Sequence, residues 1–140
     1  ELVRVKDGVR YYNDSIASSP SRTIAGLRSF PEKVILIAGG YDKHIPYDVL
    51  GPEICAHVKK LFLGGATGPK IRAAVENAPA YLPGMPEIVD CGDFTKATLA
   101  AARAAEPGDV VLMSPASAAF DQFKNFMVRG QYFKKLVKEL

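Results

Sequence analysis

Two runs of consecutive apolar residues restrict this chain more than anything else in it. Val34-Ile35-Leu36-Ile37-Ala38 runs into Gly39-Gly40, and Val110-Val111-Leu112-Met113 follows Gly108-Asp109. Neither run alternates apolar with polar, so neither suits a sheet with one wet face. Each needs cover on both sides, the condition of a strand in a parallel sheet between two layers of helix. The rest of the chain supplies those layers. Strand-like runs alternate with helical patterns of about ten residues, the order of a βαβ architecture.

The elements read as follows. Leu2–Val5 and Val9–Tyr12 flank Lys6-Asp7-Gly8, and Asp-Gly between strands signals a hairpin. Ser19-Pro20 reads as a cap and first turn of a helix reaching Arg28. A helix is expected over Val49–Val58, a strand over Lys60–Leu63, and a helix over Pro69–Asn77 with Thr67 as a possible cap. Glu87–Val89 is a weak strand. Asp93 caps an Ala-rich helix from Phe94 to about Ala105, stopped by Pro107-Gly108. Phe123, Phe126, Met127, Phe133, Leu136, Val137 and Leu140 recur at helical spacing and predict a closing helix. The expected fold is α/β and Rossmann-like: a mostly parallel sheet, helices on both faces, and an N-terminal β-hairpin at one edge. Residues 1–140 form one domain.

Composition narrows the partners. Net charge is +3, with 24% charged residues of both signs interspersed. That gives no footprint for nucleic acid or an anionic membrane. No apolar run approaches the roughly 20 residues of a spanning helix. Cys55 and Cys91 stand apart without metal spacing, and read as buried thiols of a reducing compartment rather than a disulfide. The chain opens on a strand-like segment without an initiator Met. It is therefore expected to be a piece of a longer protein.

Three polar loops follow strand ends and are expected to gather at one edge of the sheet: Asn13–Ser19, Gly39–His44 and Ser114–Phe126. Ligands of open α/β sheets bind at such edges. Lys43 would place an ammonium there for a carboxylate or phosphate, or be a solvated loop lysine. His44 reads as a surface residue. Asn13-Asp14-Ser15 offers donors and acceptors, or simply turn chemistry. Gly64-Gly65-Ala66-Thr67-Gly68-Pro69-Lys70 lacks the G-x-x-x-x-G-K-[ST] spacing, and Pro69 removes an N–H a phosphate cradle would use. Ser114 and Ser117 lie in no nucleophile motif and read as packing and hydrogen-bonding residues. Lys124, Arg129, Lys134, Lys135 and Lys138 read as the solvated face of the last helix.

The residues also carry a resemblance. Tyr12-Asn13-Asp14-Ser15-x-Ala17-Ser18, Leu36-Ile37-Ala38-Gly39-Gly40-x-Asp42-Lys43, and Ser114-Pro115-Ala116-x-Ala118-x-Phe120-Asp121-Gln122-Phe123-Lys124-Asn125-Phe126-x-x-Arg129-Gly130 resemble the C-terminal domain of the Mur ligases. The last stretch is most similar to members that add D-glutamate to UDP-N-acetylmuramoyl-L-alanine. The resemblance implies a Rossmann-like domain of a bacterial, cytoplasmic, monomeric enzyme of peptidoglycan precursor synthesis. That enzyme uses ATP and Mg2+ to activate a carboxylate as an acyl phosphate, which the D-glutamate amine then attacks. The domain would carry the amino acid by a closing motion onto an ATP-binding domain. That domain and the UDP-binding domain are absent here, so the fragment alone is expected to bind no cofactor and not to turn over. The resemblance implies that Lys43 pairs with a D-glutamate carboxylate. Ser18 and the Ala119-Phe120 backbone would line the amino-acid pocket, with Phe126 packing nearby. Asp14, with Asn13 beside it, would face the nucleotide ribose.

Two positions depart from the family's pattern. Ile16 stands where better-known members carry a lysine near the ATP phosphates, and Ala119 where they usually carry serine. Arg22, one turn into the next helix, is expected to supply the charge lost at Ile16. The alternatives are another Mur or folylpolyglutamate-type ligase domain, or a non-catalytic Rossmann-like binding module.

Overall fold

In the computed structural model, residues 1–120 and 122–140 are described. Asp121, part of the last motif, lies outside the described residues. The described chain forms β1 (Leu2–Lys6), β2 (Val9–Asn13), α1 (Pro20–Arg28), β3 (Val34–Ala38), α2 (Leu50–His57), β4 (Val58–Gly64), α3 (Gly68–Glu76), β5 (Glu87–Gly92), α4 (Phe94–Ala104), β6 (Val110–Met113) and α5 (Phe126–Lys138). The six strands make one sheet in the order β1-β2-β6-β3-β4-β5. Only the β1–β2 pair is antiparallel. Its turn has both central residues at positive φ, Asp7 at 52° and Gly8 at 79°, the twist a two-residue hairpin requires.

The apolar runs lie where their composition demands. Every residue of β3 and β6 is buried, and each strand is split between two cores. Leu36, Leu61 and Leu112 face Leu27, Ile54 and Ile71 of α1, α2 and α3. Ile35, Ile37, Val111 and Met113 face Ala97, Ala101, Phe133 and Val137 of α4 and α5. So α1–α3 cover one face and α4–α5 the other.

This layering determines where a site can form. The loops leaving β2 and β3 head for the α1–α3 face. The loop leaving β6, which lies between them, heads for the α5 face. Neighbouring loops diverge on both sides of β6, and such divergence opens crevices beyond the strands' carboxyl ends.

Some local expectations need correction. Ser19 and Thr67 occupy cap positions, but neither side chain caps its helix. Asp93 does, accepting from the Lys96 N–H. Strand β4 begins at Val58 rather than Lys60, because Val58 pairs with Val34 and is buried in the sheet. Strand β5 runs on to Gly92. Helix α5 begins only at Phe126, capped by Asn125, and Phe126 and Met127 point outward. Phe123 lies before the helix, its ring edge-on to Phe94. Cys55 is buried, Cys91 only half-buried, and both are free thiols. Among the described residues no helix is long and apolar enough to cross a membrane.

Candidate binding rim at the strand ends

The loop after β3 leaves through two glycines because the backbone is crowded there. A Cβ on Gly39, whose φ is 108°, would lie 2.0 Å from the Gly64 carbonyl oxygen. One on Gly40 would lie 2.5 Å from that of Ala118. Hydrogen bonds then tie this loop to the one after β6: Gly39 N–H donates to Pro115 O at 2.9 Å and Tyr41 N–H to Ala118 O at 2.8 Å. Ala116 N–H donates to Ala17 O at 2.9 Å, which brings in the loop after β2. Ala116 is itself buried at a φ of 56°, a left-handed conformation that costs a non-glycine residue about 1–2 kcal/mol. The loop junction holds it there. The three loops expected to converge do so.

Lys43 Nζ donates to the Ser18 carbonyl at 3.1 Å, with the side chain otherwise in solvent. Two residues before Lys43 in the chain, the Tyr41 ring meets that of Phe120 edge to face at 6.0 Å. Both are exposed, Phe120 by 66%. Asp42 turns back to the His44 N–H and to Lys70, 2.6 Å away. The Lys70 hydrogen bond holds its carboxyl below the usual range. His44 is exposed, as expected of a surface residue. Ala119 is buried, and its carbonyl accepts from the Gln122 and Phe123 N–H groups.

The Asn13–Ser19 loop faces two ways. Asn13 Oδ1 accepts from the Ser15 N–H at 3.0 Å, the turn chemistry its sequence allowed. Asp14 ends half-buried with Oδ2 accepting from the Ser114 hydroxyl at 2.8 Å. Burial pushes its carboxyl up, against the opposing pull of Ser114 and the Arg22 charge. Arg22 is exposed on the first turns of α1. Ile16 is exposed and lines a hollow of about 290 Å³ with Asn13, Phe126, Met127, Gly130 and Lys134. Phe126 thus opens on the Asn13 side of the rim.

The serines of the last loop are buried and hydrogen-bonded. The Ser117 hydroxyl sits 2.8 Å from both Tyr47 Oη and Thr67 Oγ1. Thr67 Oγ1, instead of capping α3, accepts from the Gly40 N–H at 3.0 Å.

The assignment of Arg129 to a solvated face is overturned. It is 1% exposed, the largest fully buried side chain among the described residues. Lys124, Lys135 and Lys138 are exposed, and Lys134 is half-buried. A buried guanidinium needs its donors satisfied, and this one reaches two loops. Nε donates to Ser15 Oγ at 2.9 Å, one terminal nitrogen to Ser15 O at 2.7 Å, and the other to Ser117 O at 2.8 Å. A weaker bond of 3.4 Å reaches Ser18 Oγ. The signal was present: counting back from Val137 and Phe133 in steps of four lands on Arg129.

A doubly covered, mostly parallel sheet with polar loops gathered beyond its strand ends defines a Rossmann-like α/β domain. Solved structures share the fold. A murein peptide ligase from Psychrobacter arcticus 273-4 superposes at a TM-score of 0.62 and 12% identity, over 100% of this chain and 30% of that one. A ligase domain from Haemophilus ducreyi 35000HP gives 0.62 at 14% identity, covering 94% of that chain. Residues 1–117 match the Mur ligase, glutamate ligase domain family, and the chain belongs to that family. It is 55% identical, over its whole length, to a UDP-N-acetylmuramoylalanine--D-glutamate ligase of Acetivibrio thermocellus. It is 51% identical to the enzyme of that name from Clostridium beijerinckii. The chain spans about 30% of the length of these relatives.

Proposed function

We propose that this chain is the amino-acid-accepting domain of a bacterial, cytoplasmic ATP-dependent ligase that joins D-glutamate to UDP-N-acetylmuramoyl-L-alanine. The observation that carries the reading is the rim itself, where the three loops meet and Lys43 is anchored on Ser18. The Lys43 ammonium would hold one carboxylate of the incoming amino acid, its own carbonyl anchor fixing its direction. Ser18 and the Ala119-Phe120 backbone would shape that pocket, with Phe126 toward the nucleotide side. ATP would supply the activated carboxylate as an acyl phosphate.

The residues facing the nucleotide fit a sugar better than phosphates. Asp14 keeps Oδ1 for ribose hydroxyls while Ser114 holds Oδ2, and Asn13 steadies the same turn. Arg22, whose charge acts on Asp14, would supply the cation that Ile16 cannot. Among the described residues no group of three His, Cys, Asp or Glu stands together to hold a metal. In this reading Mg2+ would be held with the nucleotide phosphates by parts of the protein outside this chain. The fragment alone would not turn over, and ligation by it would contradict the reading.

Steady-state kinetics of the full-length enzyme test it. Lys43→Ala should raise the KM for D-glutamate by about 10–100-fold, the worth of one charge-assisted hydrogen bond, and leave the KM for ATP alone. An unchanged D-glutamate KM would refute the assignment. Arg22→Ala should instead raise the KM for ATP, and unchanged ATP kinetics would remove Arg22 from the site.

A further inference from the structure

Arg129 does something the binding residues do not do for themselves. It rises from the first turns of α5 and joins the loop after β2 to the loop after β6, through Ser15 O, Ser15 Oγ and Ser117 O. Ser15 Oγ passes the connection on, donating to Phe126 O at 2.7 Å in the helix that carries Arg129. Lys43 rests on Ser18 O, three residues beyond Ser15. The ammonium is therefore only as well placed as the Ser15–Ser18 segment beneath it.

The two ends of that segment are held unequally. Asp14 has its own anchors, its N–H donating to Met113 O at 2.8 Å and its carboxylate accepting from Ser114. Ser18 has one short backbone bond, its N–H to Ile16 O at 2.8 Å, and Ile16 is itself exposed. The Ser18 hydroxyl takes the long bond from Arg129 and its carbonyl supports the lysine, while the adjoining Ala17 donates to Asp14 O and accepts from the Ala116 N–H, both at 2.9 Å. The amino-acid side is thus steadied by the guanidinium together with the Ala17 backbone bonds, and the nucleotide side by the strand end.

We infer that Arg129 is a positioning residue for the incoming amino acid: its planar fork sets the Ser15–Ser18 segment, and through it the direction of the Lys43 ammonium. The inference rests on the functional reading above. The fork matters, not the charge alone. A guanidinium presents five N–H donors in fixed directions, whereas an ammonium is a point charge on a flexible stem. Lysine at 129 keeps the charge but cannot grip Ser15 and Ser117 together.

The test is Arg129→Lys in the full-length enzyme, with KM measured for each substrate. The D-glutamate KM should rise about tenfold while the ATP KM stays within about threefold. A residue that merely supports the fold would lower thermal stability and the active fraction without splitting the two KM values. Ser15→Ala is the second variant, for use if the lysine variant does not fold. It removes the hydroxyl that links Arg129 to Phe126 but keeps the Ser15 carbonyl contact, so a smaller rise of about threefold is expected, again confined to D-glutamate. Unchanged D-glutamate KM in either folded variant, or equal rises for both substrates, would overturn the positioning role. A wild-type enzyme that ligates no D-glutamate would overturn that role together with the functional reading. A wild-type enzyme that does so, with variants showing no split, would overturn the positioning role alone.

Discussion

Asp109 and Asp14 sit at opposite ends of neighbouring strands, and their surroundings act on them in opposite directions. Asp109 precedes β6 at the far edge from the binding rim, and is 8% exposed. Burial opposes its charge, but Lys59 pairs with it and the Glu106 N–H donates to it at 2.9 Å, so its carboxyl lies below the usual range. Asp14 follows β2 at the rim. Burial raises its carboxyl, and among the described residues only the Ser114 hydroxyl donates to it. One end of the sheet surrounds a carboxylate with what it needs. The other leaves a half-buried carboxylate with one hydroxyl donor and the charge of Arg22. A carboxylate buried with so few partners works against stability at that end.

Asp109→Asn should produce the larger effect. The amide can still accept from the Glu106 N–H, so the loss is the Lys59 charge pair. Lys59 remains partly in water, which reduces the cost to about 1 kcal/mol. A carboxyl whose folded pKa is depressed contributes stability above its unfolded pKa and loses it as pH falls through the folded one. The destabilisation should therefore be complete at pH 7 and fade below about pH 4, near the ordinary Asp value. Urea midpoints of wild type and variant across that range check it. Substrate KM values should not move, because nothing near Asp109 reaches the rim. A change in D-glutamate KM would break the contrast between the two ends.

The strands and turns, though not every boundary, were legible in the sequence because their cause is local. Apolar runs without alternation specify burial on both faces, Asp7-Gly8 specifies the hairpin, and Asp93 specifies a helix start. The loops were legible as loops, and parallel strands put their ends on one side. What spacing could not show was which polar residue would be buried. Arg129 shares a helix with three lysines, and composition groups it with them. Its burial depends on the Ser15 and Ser117 carbonyls, 114 and 12 residues away in the chain. Thr67 failed as a cap for the same reason, its hydroxyl being engaged by Gly40 from another loop. Phe126 and Met127 fit a helical stripe, but they lie on its first turn, beyond the edge of the sheet that buries Phe133 and Val137.

Asp14→Asn is the smaller test, and its sign is the informative part. Because burial raises the folded pKa of Asp14 above its unfolded value, the native state is favoured below the unfolded pKa, and that advantage is lost as pH rises through the folded one. At pH 7 the ionised carboxylate therefore works against folding. Asparagine keeps an oxygen to accept from Ser114 and has no charge to desolvate. The variant should raise the urea midpoint at pH 7, and the gain should shrink to nothing as pH falls below about 4, where wild-type Asp14 is protonated in both states. This is the reverse of the Asp109 result in the same assay. In the full-length enzyme the same substitution should raise the KM for ATP, since a neutral amide is a weaker acceptor for sugar hydroxyls than a carboxylate. A variant that lost stability at neutral pH would mean that Asp14 is held as well as Asp109. The contrast between the two ends would then fail.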